Sequence, residues 1–312
     1  MKVFAPGKIV LTGAYAVLEG APAIVVATSR GAFTDGDRTA PTATPEVAAA
    51  LGDAAPAPHA DASSLFVGAR KLGLGASAAI LVASIAVREA ERGADLARPD
   101  VRAAIFARAR AAHAAAQGGG SGVDVAASVY GGALEYTLTG HRAVTLPTGM
   151  RLTVFACGTS ARTSELRAFV DRLAESSPDL HRSRMGELGE IARSASRAVA
   201  ADDRAAFLDA VRSTYGALAR LGEAASAPIV PAGWEALGAA ATAEGAAFCV
   251  SGAGGGDVAA FVGVAPPSEA FLAQARMQGL FVLDVDVDEK GVRVVSQPTA
   301  HAAVSKEMFS SS

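Results

Sequence analysis

Lys71-Leu72-Gly73-Leu74-Gly75-Ala76-Ser77-Ala78-Ala79 opens a run that stays almost wholly apolar to Val87 and meets its first charges at Arg88, Glu89 and Glu91. Leu81 and Ile85, and Val82 and Ala86, are four residues apart, so the run reads as a helix buried on most sides. Two glycines two residues apart let the backbone turn tightly and approach a ligand with no Cβ in the way. The helix behind them leaves its first N–H groups unpaired, and its dipole adds partial positive charge there. Together these make an anion site suited to phosphates. No GK[ST] follows and the glycine spacing is not GxGxxG, so neither standard nucleotide fingerprint applies. A purely structural turn before a helix is the plain alternative.

Upstream, residues 1–34 alternate short apolar runs with glycine turns and read as strands of an antiparallel sheet, with one helical turn around Ala14 to Val17. Residues 35–62 read as a long loop holding a short helix near Pro45 to Leu51, and 63–67 as a strand. Downstream, Pro99 opens a second helix to about Ala116, and Ser121 is placed to cap a third, Val123 to Tyr130. Two strands follow, Ala133 to Leu138 and Arg151 to Cys157. Residues 164–222 are helical with breaks near Pro178 and Asp202, 231–244 give one more helix, and the remainder alternates strands, a glycine loop and a helix. The class is α+β, with a boundary near 150–160.

Composition narrows the field. The 312 residues are 51% hydrophobic and 19% charged, with a net charge of −3, which suits a soluble globular protein. No basic run and only 5% aromatics argue against nucleic acid. Neither a signal peptide nor a stretch of eighteen uninterrupted apolar residues is present, so the expected setting is cytoplasmic with no membrane partner. Cys157 and Cys249 sit in apolar strand-like runs and read as buried reduced thiols.

Three further motifs carry chemistry. Ser251-Gly252-Ala253-Gly254-Gly255-Gly256-Asp257 has more glycine than a hairpin turn needs, which fits a backbone closing over a ligand. Gly118-Gly119-Gly120-Ser121-Gly122-Val123-Asp124 places a carboxylate in the first turn of a helix, either as a cap or as a general base. Ala5-Pro6-Gly7-Lys8 sets a lysine in an apolar strand, where an ammonium needs an anionic partner: Asp124 or a substrate phosphate.

Taken in order, APGKIVLTGAYAVLEG, KLGLGASAA and SGAGGGD resemble the N-terminal, central and C-terminal motifs of the GHMP kinases, over residues 5–257. Within that superfamily, DASSLFVGARKLGLGASAA, AHAAAQGGGSGVDVAASVYGG and CGTSARTSELRAFV look most like the phosphomevalonate kinase branch, with the mevalonate kinases as runner-up. The resemblance implies a two-domain fold: residues 1–155 with a left-handed βαβ crossover, and 156–312 ferredoxin-like. It implies ATP and Mg²⁺, a small-molecule acceptor (phosphomevalonate) and a monomer or homodimer.

Carried onto this sequence, the resemblance makes Asp124 and Lys8 the catalytic pair. Lys71, Gly73, Leu74, Gly75, Ala76, Ser77 and Ala78 would bind the nucleotide, with Ser77 the metal ligand. Ser121, Gly122, Ser160, Thr163, Ser164, Ser251, Gly252, Ala253 and Gly254 would face the acceptor. The chain departs from the pattern in three places. Ala76 replaces the first serine of GLGSS, Ala14 stands where many relatives carry glutamate, and His113 stands where mevalonate kinases carry a metal-binding glutamate. Histidine is a poor magnesium ligand, so His113 reads as a packing or hydrogen-bonding residue. The other histidines read as solvated. A catalytically silent protein of the same fold is the reading from another class.

Overall fold

The structure, a computed structural model, describes residues 1–52, 56–157 and 163–295. β1 (Lys2–Thr12) and β2 (Ala23–Thr39) form a long antiparallel pair, joined through a 3-10 turn at Ala16–Glu19. Where the sequence suggests several short strands there are two long ones. Pro6-Gly7 does not end β1, because the register slips there and the bulge absorbs the missing proline N–H. α1 (Pro45–Leu51) is capped by Thr44, whose Oγ1 accepts from Val47 N–H at 3.3 Å. β3 (Pro58–Asp61) pairs with the far half of β2, which is why β2 runs on into a segment expected to be loop.

Ser63–Leu65, expected as strand, is a 3-10 turn that leads into the hairpin β4 (Phe66–Val67) and β5 (Arg70–Lys71). α2 (Ala76–Glu91), α3 (Pro99–Gln117) and α4 (Val123–Tyr130) follow. β6 (Ala133–Thr137) pairs with β2 and with β7 (Gly140–Val144), a strand the sequence did not announce because its residues are mostly exposed. The first sheet has α2 and α4 on one face: Val3 and Ala5 of β1 share a core with Leu81, Val82, Ile85, Val125 and Val129.

β8 (Arg151–Cys157) begins the second sheet, and the expected boundary at 155/156 falls inside it. Then come α5 (Thr163–Ser176), α6 (Pro178–Ala200), α7 (Arg204–Ala225) and α8 (Glu235–Ala243). β9 (Ala247–Val250), β10 (Val258–Gly263), α9 (Glu269–Met277) and β11 (Leu280–Leu283) complete a four-stranded antiparallel sheet of order β11-β8-β10-β9. Its side chains alternate between two cores, as strand pleating dictates. Phe155, Cys157, Phe248, Val250, Ala259 and Phe261 face the helices. Val154, Ala156, Cys249, Val258, Ala260 and Val262 face Ile9, Leu11, Ile24 and Val26 of the first sheet. Both cysteines are buried, as expected.

The chain then returns. β12 (Arg293–Val295) pairs with β1, on the edge opposite β2. Asp288 anchors this return by accepting from the N–H groups of Lys290 and Gly291 and pairing with Arg293, while Arg102 Nη2 reaches the Lys290 carbonyl at 2.8 Å. Among the described residues no helix is long and apolar enough to cross a membrane.

Candidate active site

Lys8 is 7% exposed, in the middle of β1. Its Nζ lies 3.6 Å from Asp124 Oδ1 and 3.4 Å from the Gly73 carbonyl. Why these residues meet follows from geometry. Ser128 Oγ donates to the Pro6 carbonyl at 2.7 Å, pinning α4 to β1. Lys8 is two residues along the strand from Pro6, roughly 6.6 Å. Asp124 is four residues back along the helix from Ser128, roughly 6 Å and on the same side. A helix running against the strand therefore brings Asp124 beside Lys8. Both Lys8 contacts are long for charge-assisted hydrogen bonds, which centre on about 2.8 Å, so the ammonium retains donor capacity for an incoming oxyanion.

The glycine loop at 73–75 lies directly against this lysine. Lys8 N–H donates to the Leu74 carbonyl at 2.9 Å. Gly75 is the N-cap of α2 with φ +81°, a left-handed conformation that disfavours any side chain. A Cβ there would lie 3.2 Å from Lys8 Cγ and would fill the space between the loop and the lysine. At Gly73 (φ +74°) a Cβ would come within 2.5 Å of Asp257 Cβ, so the two glycine-rich segments touch. Ala76 and Ala78 are buried, and Ser77 is half-buried in the first turn of α2, its Oγ accepting from Lys71 Nζ at 3.4 Å. The bare N-terminus of α2 and the adjacent glycines leave a cradle that fits a polyphosphate.

Residues 251–256 close the third side. A Cβ at Gly252 would lie 3.6 Å from Lys8 Nζ, so segments 73–77, 124 and 252 converge on one ammonium. Two bonds tie this loop to the start of the chain: Val10 N–H donates to Ser251 Oγ at 2.9 Å, and Tyr15 O–H donates to the Ala253 carbonyl at 2.8 Å. Gly254 lies beside Ile229, and Gly255 N–H donates to the Ile229 carbonyl.

Tyr15 is a residue the sequence did not single out. It has φ 60° and ψ −55°, and Ala16 N–H bonds back to the Ala14 carbonyl at 2.7 Å across it, a strained γ-turn that leads into the expected helical turn, a 3-10 turn at Ala16–Glu19. Burial pushes its phenol well above the ordinary tyrosine range. Nothing in the local sequence signals a left-handed tyrosine; the conformation is imposed by its seat in the core of the second sheet.

The remaining expected residues are placed as follows. The cap of α4 is Gly122 rather than Ser121, because Gly122 takes the left-handed turn; Ser121 Oγ accepts instead from Val123 N–H at 3.3 Å, and its carbonyl accepts from the Tyr136 hydroxyl. Ser160 lies outside the described residues, while Thr163 and Ser164 are described only as the first residues of α5. His113 Nδ1 would be 4.0 Å from a Cβ at Gly120, beneath the glycine loop. His141, expected to be solvated, stacks on Tyr130 at 3.8 Å between ring centroids; His301 lies outside the described residues.

Among the described residues no three His, Cys, Asp or Glu side chains cluster as a metal cage. Magnesium does not require one, since it keeps several waters and binds phosphate oxygens, and the donors present (the Ser77 hydroxyl and the Asp124 carboxylate) suit such a hard ion.

No family model matches the chain. A curated relative, the phosphomevalonate kinase of Streptomyces sp. (strain CL190), is 33% identical over 220 residues, covering 62% of this chain and 58% of the relative. The chain thus spans under two thirds of that relative's length. Among solved structures, the Lin0012 protein of Listeria innocua matches with a TM-score of 0.81 at 20% identity, over 95% of this chain and 99% of that one. Streptococcus pneumoniae phosphomevalonate kinase in complex with phosphomevalonate and AMPPNP matches with a TM-score of 0.72 at 16% identity, over 92% and 99%. Mevalonate kinase, galactokinase and homoserine kinase structures share the same fold. The chain has the fold that these kinases share. In this fold two of the three motifs that carried the resemblance, KLGLGASAA and SGAGGGD, gather with Asp124 around Lys8 of the first.

Proposed function

We propose that the protein is an ATP-dependent phosphotransferase that converts 5-phosphomevalonate to 5-diphosphomevalonate, in the cytoplasm. The observation that carries this reading is the convergence of the phosphate loop, the Asp124 helix and the 251–256 loop on the Lys8 ammonium. The likeness to a phosphomevalonate kinase over 220 residues supports the choice of acceptor.

Phosphoryl transfer rests on positioning and charge neutralisation. The backbone of Gly73 to Ala78 and the N-terminus of α2 would cradle the nucleotide phosphates. Mg²⁺ would neutralise their charge, with Ser77 Oγ its protein ligand, in competition with Lys71 for that oxygen. Lys8 would sit on the transferred group between donor and acceptor. Ser121, Gly122, Ser160, Thr163, Ser164 and the 251–254 segment would surround the acceptor.

A phosphate monoester loses its second proton near pH 6. At neutral pH the attacking oxygen of phosphomevalonate already carries its charge, so little base catalysis is required. Asp124 then serves chiefly to hold Lys8. The second reading, mevalonate kinase, draws on the same aspartate: its side chain is 31% exposed at the site, where it would accept a hydroxyl proton. An ADP-release assay offering phosphomevalonate and mevalonate side by side separates them. Turnover of phosphomevalonate alone supports the proposal, and turnover of mevalonate alone overturns it.

In architecture we read two domains divided at β8, with β12 returning to the first. The β-α-β-β-α-β succession from β8 to β11 supports a ferredoxin-like second domain. The left-handed crossover in the first domain is carried over from the family.

A further inference from the structure

We propose that Arg167 is a specificity-determining residue that binds the carboxylate end of the acceptor. The inference rests on the phosphomevalonate reading above and adds to it the group that recognises the non-reacting end of that substrate.

Residues 118–122 join α3 to α4 and run straight into Asp124. Ser121 is the only one of the five with a side chain, so this stretch presents little but backbone. Against it lies a cation from the other half of the molecule. Arg167 belongs to α5, and its Nη1 and Nη2 would be 3.2 and 3.4 Å from a Cβ at Gly119. Any side chain at 119 would displace the guanidinium, so the missing Cβ is what lets the arginine reach the loop.

Among the described residues the guanidinium is not consumed by an internal partner. Among the described residues the carboxylate within ion-pair distance is Asp171, one turn along α5, at 3.7 Å from Nε. That contact is long, uses the inner nitrogen and leaves the Nη fork on the loop side. Arg167 is 37% exposed, so a ligand has access to it. Arg110, the neighbouring cation under Gly122, is in contrast engaged, its Nη1 donating to the Leu138 carbonyl at 3.0 Å.

Charge division across the cleft then assigns the fork. Lys8, Lys71 and the N-terminus of α2 lie together on the phosphate side. Arg167 lies instead against Gly119, five residues before Asp124, one turn along α5 from Thr163 and Ser164. A planar fork suits two-point binding of a carboxylate, a geometry that the point charge of lysine does not reproduce. An acceptor with a phosphate at one end and a carboxylate at the other would span from Lys8 to Arg167.

The test compares wild type, Arg167→Ala and Arg167→Lys with phosphomevalonate and with its carboxamide analogue, by steady-state kinetics and by calorimetric binding in the presence of a non-hydrolysable ATP analogue. Thermal melting serves as the fold control. We expect Arg167→Ala to raise the acceptor KM at least tenfold with the ATP KM changed less than twofold, and Arg167→Lys to recover part of the loss. The carboxamide should bind wild type and Arg167→Ala alike. An unchanged acceptor KM in Arg167→Ala, or an equal loss of affinity for acid and amide, overturns the inference while leaving the phosphotransferase reading intact. A wild-type protein that neither binds nor turns over phosphomevalonate overturns both.

Discussion

Lys8 Nζ and Asp124 Oδ1 stand 3.6 Å apart although 116 positions separate them, because the bond from Ser128 to Pro6 aligns α4 with β1. The pair is long enough to admit an oxyanion, and it is largely shielded on the lysine side, where the side chain is 8% exposed. On this account Lys8 neutralises charge and Asp124 orients Lys8. Lys8→Met should therefore cost about 10²- to 10³-fold in kcat, the range for losing one preorganised charge stabiliser. Asp124→Asn should cost less than about 10²-fold at pH 8, where the acceptor phosphate is fully ionised. Rapid-quench measurement of the chemical step in both variants checks the order; a larger loss in Asp124→Asn would restore the aspartate as a general base.

Gly73 and Asp257 form the contact between the two glycine-rich segments. Gly73→Ala forces a Cβ to 2.5 Å from Asp257 Cβ, at a φ of +74° that alanine disfavours. We expect a stability loss of about 1–3 kcal/mol, the usual range for a strained or overpacked site, together with weaker ATP binding. Denaturant unfolding and nucleotide titration read the two effects separately.

Ser77→Ala should leave the fold intact, since the hydroxyl is half-buried and its contact from Lys71 Nζ is long, at 3.4 Å. Its effect should fall on the metal: the Mg²⁺ concentration for half-maximal activity rises several-fold at saturating ATP. A variant with an unaltered Mg²⁺ dependence would remove Ser77 from the metal site.

Tyr15→Phe deletes the bond to the Ala253 carbonyl while keeping the ring in its core seat. A single hydrogen bond contributes about 1 kcal/mol, so the melting temperature should fall by only a few degrees. If the bond positions the 251–256 loop beside Lys8, kcat falls about threefold to tenfold as well. A lowered melting temperature with unchanged kcat would confine Tyr15 to a structural role.

Glu46 gives a pH prediction. It is 7% exposed; burial raises its pKa, but the Gln117 Nε2 donor at 3.0 Å, further hydrogen bonds from the backbone and Thr44, and nearby His113 bring it below the ordinary glutamate value. A carboxylate depressed in the folded state contributes stability above its unfolded pKa of about 4.3 and loses it as pH falls through the folded value. Wild type should therefore be more stable than Glu46→Gln at pH 7, with the difference shrinking below about pH 4. Melting temperatures of both proteins across this range measure it.

Much of the site is legible in the sequence because a backbone that approaches phosphate needs glycine, and glycine clusters stand out. The loop at 73–75, the lysine after Pro6-Gly7 and the aspartate of Ser121-Gly122-Val123-Asp124, each read from its own motif, lie together in the fold. The contacts that assemble them are not legible. Val10 with Ser251 and Tyr15 with Ala253 are both joined over more than 230 positions, and no local pattern encodes such a pairing. The full length of β2 was hidden for the same reason, since it is set by its partner β3. So was the return of β12 to the first sheet: three residues of ordinary strand composition say nothing about which edge they will join.

The most direct test of the central claim is ³¹P NMR of the protein with ATP, Mg²⁺ and phosphomevalonate. The account predicts that the phosphomonoester resonance is replaced by a diphosphate pair as ADP accumulates, and that Lys8→Met slows this conversion by about 10²- to 10³-fold. A phosphomonoester signal that persists unchanged with active wild-type protein, while mevalonate supplied in its place becomes phosphorylated, would contradict it.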